Sequence, residues 1–263
     1  MSFTFSHVVP TKYLGLVRSI GSELLAEGSK LLTDKDYYNF FKRYRPFIVD
    51  QSCVFGSELP VVEYVNLIKD LSPKYCFAPD VIGDLTGTLD RFKQFNLMYI
   101  ENQLSCTPVY ILQGQNAGEM MRCLNMVLEF NGNLVVGVTS RYPEHFMLPT
   151  REIPADWGMD RQLLIKEVVK YVNLIGEHDR IKFYLPGVWY LAELFMLPDS
   201  FIASDSSFCF QSSVLGKSVL LSRRTLNPVD WTSECDENLL INNIVTLEKL
   251  IRRYMNNVKK ENL

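Results

Sequence analysis

The sequence offers no cysteine pair at metal-binding or redox spacing. Its six cysteines, Cys53, Cys76, Cys106, Cys123, Cys209 and Cys235, are scattered, with no CxxC and no histidine at zinc spacing. They read as reduced thiols of a cytosolic protein. Histidine is scarce: His7, His145 and His178 have no acidic or cysteine partner at motif spacing, so surface or loop positions are expected for all three. A glycine-rich phosphate loop, an HExxH and a GxSxG are all missing, which leaves ATPase, zinc-protease and serine-hydrolase readings without a motif. No apolar run approaches the about 18 residues that cross a bilayer. Met1 to Pro10 lacks the apolar centre of a signal peptide. A soluble, cytoplasmic protein without membrane contact is expected. Neither sign of charge dominates: 27 Lys and Arg stand against 30 Asp and Glu, for a net charge of −3. Composition thus gives no global electrostatic case for nucleic acid, although a local basic patch remains compatible with phosphate binding.

What is present is apolar substance in an alternating pattern. At 263 residues and 47% hydrophobic, the chain suits one domain with a substantial core. Strand-like runs fall near 5–9, 47–50, 75–82, 107–112, 133–138, 181–185, 200–204 and 218–221. Helical periodicity covers Leu16 to Ala26, Val61 to Leu71, Leu89 to Tyr99, Met120 to Phe130, Leu163 to Ile175 and Val188 to Phe195. Such alternation implies a parallel sheet, and about eight strands close most economically as a single (β/α)8 TIM barrel over residues 1–263. A doubly wound open sheet is the alternative. A last helix, about 236–260, should dock through Leu239, Leu240, Ile244, Leu247 and Leu250. Its terminal Arg252, Arg253, Lys259 and Lys260 suit a helix C-terminus.

Several strand-like runs end in an acid: Phe47-Ile48-Val49-Asp50, Pro79-Asp80-Val81-Ile82-Gly83-Asp84 and Phe201-Ile202-Ala203-Ser204-Asp205. Ionised carboxylates are disfavoured in a core, so these imply one shared polar mouth at the carboxyl ends of the strands. Read residue by residue, each acid is equally a strand-end or helix-capping group. Asp80 is expected to cap or brace the loop before Asp84. The long connection 140–160, with three prolines and Trp157, reads as a candidate lid carrying Arg141 and Arg151.

Taken in order, Val49-Asp50-Gln51-Ser52, Asp80-Val81-Ile82-Gly83-Asp84, Ile111-Leu112-Gln113-Gly114, Val136-Gly137-Val138, Tyr184-Leu185-Pro186-Gly187-Val188 with Glu193, and Ser204-Asp205-Ser206-Ser207 form a series. It resembles the tRNA-guanine transglycosylase superfamily, most closely its DpdA-type DNA 7-deazaguanine branch of phages and bacteria. The likeness covers roughly residues 45–210. It implies a TIM barrel that exchanges guanine in DNA for a 7-deazaguanine such as preQ0 or preQ1, with DNA and the free base as partners and no cofactor. By the same likeness Asp205 is the nucleophile and Asp50 the acid/base group. Asp84 and Gln113 recognise the base, and Gly114, Gly137, Gly187 and Val188 line it. Ser52-Cys53 stand where the family has glycines, and Pro186 where it has a base-facing methionine. The family's zinc-binding cysteine and histidine cluster is missing, so neither a zinc subdomain nor a metal is expected, and DNA is favoured over tRNA. Phosphates would fall to basic residues such as Lys42, Arg43, Arg45, Arg141, Arg223 and Arg224. A homodimer is compatible with the sequence, and a hydrolase or a non-catalytic barrel stays open as an alternative.

Overall fold

The computed structural model describes residues 3–51, 59–139, 157–188, 191–220 and 231–261, with side chains from 161 onward in the third stretch and up to 254 in the last. Eight parallel strands close into a barrel in chain order: β1 Thr4–His7, β2 Glu23–Glu27, β3 Ile48–Asp50, β4 Tyr75–Phe77, β5 Thr107–Leu112, β6 Leu134–Val138, β7 Ile181–Leu185 and β8 Phe201–Ser206. β8 pairs with β1 to shut the ring, setting Ser6 opposite Asp205. The helices are α1 Leu14–Ser19, α2 Gly28–Thr33, α3 Lys35–Arg43, α4 Val61–Leu71, α5 Leu85–Glu101, α6 Ala117–Leu128, α7 Trp157–Leu174, α8 Leu191–Leu194, α9 Phe208–Val214 and α10 Glu237–Glu261.

Strand alternation divides the core in two. Leu25, Ile48, Phe77, Val109, Ile111, Val135, Tyr184 and Ile202 fill the barrel interior. Neighbours of opposite orientation, such as Val49, Cys76 and Val136, pack outward against helix residues that include Tyr64, Phe92, Leu124 and Ile165. Gly137 belongs to the interior, where a Cβ would stand 2.2 Å from Ile111 Cδ1, so a larger residue there would displace the tip of that side chain. The Tyr64 hydroxyl lies 2.8 Å from the carbonyls of both Val49 and Phe77 and ties β3 to β4 just below the mouth. Among the described residues no helix is long and apolar enough to cross a membrane.

Two expected elements are corrected. The helix expected over Leu16–Ala26 stops at Ser19, and Gly21 at φ +79° turns the chain into β2, whose residues Leu25 to Glu27 pair with Ile48 to Asp50. The apolar run near 218–221 forms no strand over its described part, because β8 and β1 have already closed the sheet. Val219 is instead buried and donates its N–H to Asn243 Oδ1 at 2.8 Å. The strand count of eight therefore held although one member differs. The terminal helix docks through Leu240, Ile244, Leu247 and Ile251, with Leu239 and Leu250 half-buried. Its first turn is capped by Asp236, which accepts from the N–H groups of Asn238 and Leu239.

Candidate active site

Every loop that follows a strand lies at one end of a parallel barrel, so acids at strand ends converge there. Asp205 sits one residue from the end of β8 and is 7% exposed. The Gly187 N–H donates to its Oδ2 at 3.3 Å and the Val188 N–H to its main-chain oxygen at 2.9 Å. Gly187 adopts φ +61°, which aims that N–H at the carboxylate in a conformation glycine takes at little cost. Behind this turn lies Arg161 of α7, fully buried. It donates to the carbonyls of Pro186 at 2.9 Å and Gly187 at 3.3 Å and forms an ion pair with Glu193. The guanidinium thus fixes the backbone that fixes Asp205. Neither Arg161 nor the role of Glu193 as its counter-ion was evident from the sequence, because the pairing joins α7 to α8.

Tyr184 stands in the barrel interior, edge-on to Phe77 at 5.3 Å. Burial first, and then the Asp205 charge, holds its phenol well above the ordinary tyrosine range, with Asp50 adding to the effect. One buried phenol therefore feels both acids, so Asp50 and Asp205 belong to a single neighbourhood.

Asp50 ends β3, and directly beside it in register is Glu27, the last residue of β2. Glu27 is 3% exposed. Burial raises its carboxyl above the ordinary glutamate value, against the opposing pull of Lys30, whose Nζ is 3.6 Å away. The sequence reading missed Glu27 because it took Leu16–Ala26 for a helix. The signal was available, since Leu24-Leu25-Ala26-Glu27 is another apolar run closed by an acid.

The third acid of the mouth is Asp80. Gln51 Nε2 donates to its Oδ1 at 2.6 Å and to its main-chain oxygen at 2.9 Å, and Gln113 Nε2 donates to its Oδ2. Gln113 Oε1 in turn accepts the Gly83 N–H at 3.1 Å. The amide donors are spent on fixing the carboxylate. Gln51 Oε1 is buried with no hydrogen-bond partner among the described residues. It is an acceptor left open beside a carboxylate.

Asp84 is placed differently from the reading that paired it with Gln113. It is exposed and caps α5, accepting the Gly87 N–H at 3.0 Å. Gln113 thus meets Asp80 and not Asp84. Gly114 follows Gln113 where a Cβ would be 2.5 Å from Glu119 Cβ, so its place is fixed by contact with α6. Arg43 and Arg45 are exposed in the connection from α3 into β3. Connections entering strands lie at the opposite end of the barrel, so these two cations, with Lys42, do not join the mouth. Arg141, Arg151, Arg223, Arg224, His145, Cys53 and the candidate lid up to 156 lie outside the described residues.

His7 is buried, not on the surface or in a loop as expected. Its Nε2 lies 3.4 Å from Glu248 Oε1 of α10, a partner 241 residues away that no local motif announces. His178 is exposed beside Asp179. Cys76 and Cys106 approach to 3.4 Å as free thiols, and Cys123, Cys209 and Cys235 are also free. Among the described residues no group of three or more His, Cys, Asp or Glu side chains is placed to hold a metal ion. Neither a scan against protein-family models nor a search of curated proteins finds a match to this chain.

Proposed function

We propose that the protein is a base-exchange transglycosylase that replaces guanine in DNA with a 7-deazaguanine of the preQ0 or preQ1 kind. The observation that carries this reading is the acceptor-rich cluster of Asp80 and Gln51, held rigid by Gln113. A guanine-type edge presents a ring N–H and an exocyclic amino group side by side, and a buried carboxylate with an adjacent amide oxygen is their complement. Unlike the family likeness, which points to Asp84, this assignment gives base recognition to Asp80. Asp205 attacks C1′ of the target nucleotide and expels guanine, holding the sugar as an ester until the incoming base displaces it with overall retention. Asp50 supplies a proton to the departing base and removes one from the arriving base. In duplex DNA the target nucleotide has to leave the stack to reach the mouth.

The test is incubation of the purified protein with guanine-labelled DNA and, separately, labelled tRNA, each with preQ0 or preQ1, followed by nucleoside mass spectrometry and counting of released guanine. Deazaguanine in DNA alone, lost in Asp205→Ala and sharply reduced in Asp80→Ala, is the expected result. Incorporation into tRNA alone would change the polymer. Guanine release without incorporation would make the protein a hydrolase, and silence on both polymers would overturn the enzyme reading.

A further inference from the structure

We propose that Glu27 and Asp50 act as a carboxyl pair that shares one proton, making Glu27 a second acid/base residue of the mouth. The inference rests on the reading of Asp50 given above and extends it to a residue outside the family series. Glu27 and Asp50 are register partners on neighbouring parallel strands, which run about 4.8 Å apart. Both lie two residues beyond interior side chains, Leu25 and Ile48, so both point toward the barrel axis. The turn after Glu27 presses on its neighbour: a Cβ at Gly28 would lie 2.8 Å from the Asp50 carbonyl oxygen and 2.7 Å from Leu59 Cδ1. No side chain larger than glycine fits between them without movement.

Glu27 is buried beside one cation, and burial is the larger influence on its carboxyl. Its Oε1 is buried with no hydrogen-bond partner among the described residues. The Lys30 ammonium, 3.6 Å from that oxygen, forms an ion pair that lowers the Glu27 carboxyl without overcoming the effect of burial, and is itself stationed 4.3 Å from the centre of the Trp231 ring and 5.6 Å from that of Tyr37. The groups facing the pair are Lys30 from α2, Tyr37 from α3 with Asp34, which lies beyond it and caps α3, and on the Asp50 side Tyr64 from α4 and Tyr184 from β7. The Tyr37 hydroxyl accepts the Glu27 N–H at 3.0 Å. Burial, then the Glu27 charge, with Asp50 and Asp34 further along, keeps that phenol protonated. Two carboxylates projecting to the same face from neighbouring register positions disfavour joint ionisation, so on this proposal the pair retains a proton that neither acid would keep alone.

The proton balance is complete within the site. As the C1′–N bond breaks and the Asp205 oxygen–C1′ bond forms, the shared proton passes to a nitrogen of the departing base. Lys30 then faces two carboxylates. When the deazaguanine attacks C1′, its ring N–H proton returns to the pair and Asp205 leaves as a carboxylate.

The experiment is a ¹³C-carboxyl NMR titration of the wild type and of Asp50→Asn, with Glu27→Gln to assign the resonance and thermal melts to verify folding. Glu27 should titrate above the ordinary glutamate range, and its midpoint should fall by about one pH unit when the neighbouring charge is removed. A midpoint indifferent to Asp50→Asn overturns the pair, whatever the activity. In the exchange assay, Glu27→Gln should move the alkaline limb of the kcat/KM profile toward lower pH, and Glu27→Asp should restore part of it. A uniformly scaled rate with an unmoved profile would reduce Glu27 to a structural role and overturn the proposal. Coupled titration in a wild type that exchanges no base would sink the transglycosylase reading and leave the proton-sharing pair standing.

Discussion

The two ends of the barrel treat polar groups in opposite ways. At the end where strands begin, charges are partly exposed and satisfied. Arg180, just before β7, donates to the carbonyls of Leu128, Phe130 and Gly132 at the close of α6 and to Glu177. Lys42 pairs with Asp70, and Lys74 lies over the rings of Phe47 and Tyr75. At the end where strands finish, Glu27, Gln51, Asp80, Gln113, Arg161, Glu193 and Asp205 are all nine-tenths or more buried, and the Glu27 and Gln51 acceptor oxygens lack hydrogen bonds among the described residues. The first arrangement supports helix ends and strand entries. The second is the costlier to build, since burying charged and polar groups is unfavourable even where they are paired.

The comparison is tested most severely at Asp205. Asp205→Asn should reduce base exchange by at least about 10³-fold while leaving the thermal midpoint unchanged or raised, measured by exchange assay and calorimetry. A large loss of stability with it would make the residue a structural one. Next comes Arg161→Met, which strands the Glu193 carboxylate in the core and should cost about 3–5 kcal/mol in chemical denaturation. Arg161→Met/Glu193→Met should recover much of that stability without recovering activity, because the turn that aims Gly187 at Asp205 loses its brace.

The other end should answer in the opposite sense. Arg180→Ala removes the cap on the last carbonyls of α6 and should cost about 1–3 kcal/mol with kcat unaltered. Glu27→Gln should stabilise the fold, and the gain should grow with pH. The folded-state pKa is raised, so the glutamate favours folding less as pH climbs from its unfolded value through its folded value, and the glutamine variant is spared that loss. Melts at pH 5 and pH 8 decide it, a gain at pH 8 that does not exceed the gain at pH 5 being the adverse result. The smallest effect is expected for Arg43→Ala and Arg45→Ala, which should leave polynucleotide affinity and its salt dependence unchanged. A weaker salt slope would return these cations to the binding surface.

The barrel was legible because strand and helix periods differ and alternate along most of the chain. Strands such as Thr107–Leu112 and Ile181–Leu185, and the helix Val61–Leu71, fall where periodicity places them. β2 was not legible: Leu24-Leu25-Ala26 follows an apolar stretch of helical spacing, and only a glycine turn separates the two. Asp50, Asp205 and Gln113 were found because polar residues after apolar runs mark strand ends. That Gln113 meets Asp80 and not Asp84 lay beyond local reading, since both acids close the same run and only the tertiary partners Gln51 and Gln113 distinguish them. Arg161 with Glu193, and His7 with Glu248, join segments far apart in sequence and carry no local signature.

The seam between β1 and β8 also governs when the site can exist. Asp205 has Ser6 as its register partner, so its surroundings, supplied on the other side by β7 and the Gly187 turn, are complete only when the first strand meets the last. Contacts between such distant parts of a chain form late, after the entropy of closing a long loop has been overcome. On the role proposed for Asp205, reactivity would therefore be complete only with closure of the ring.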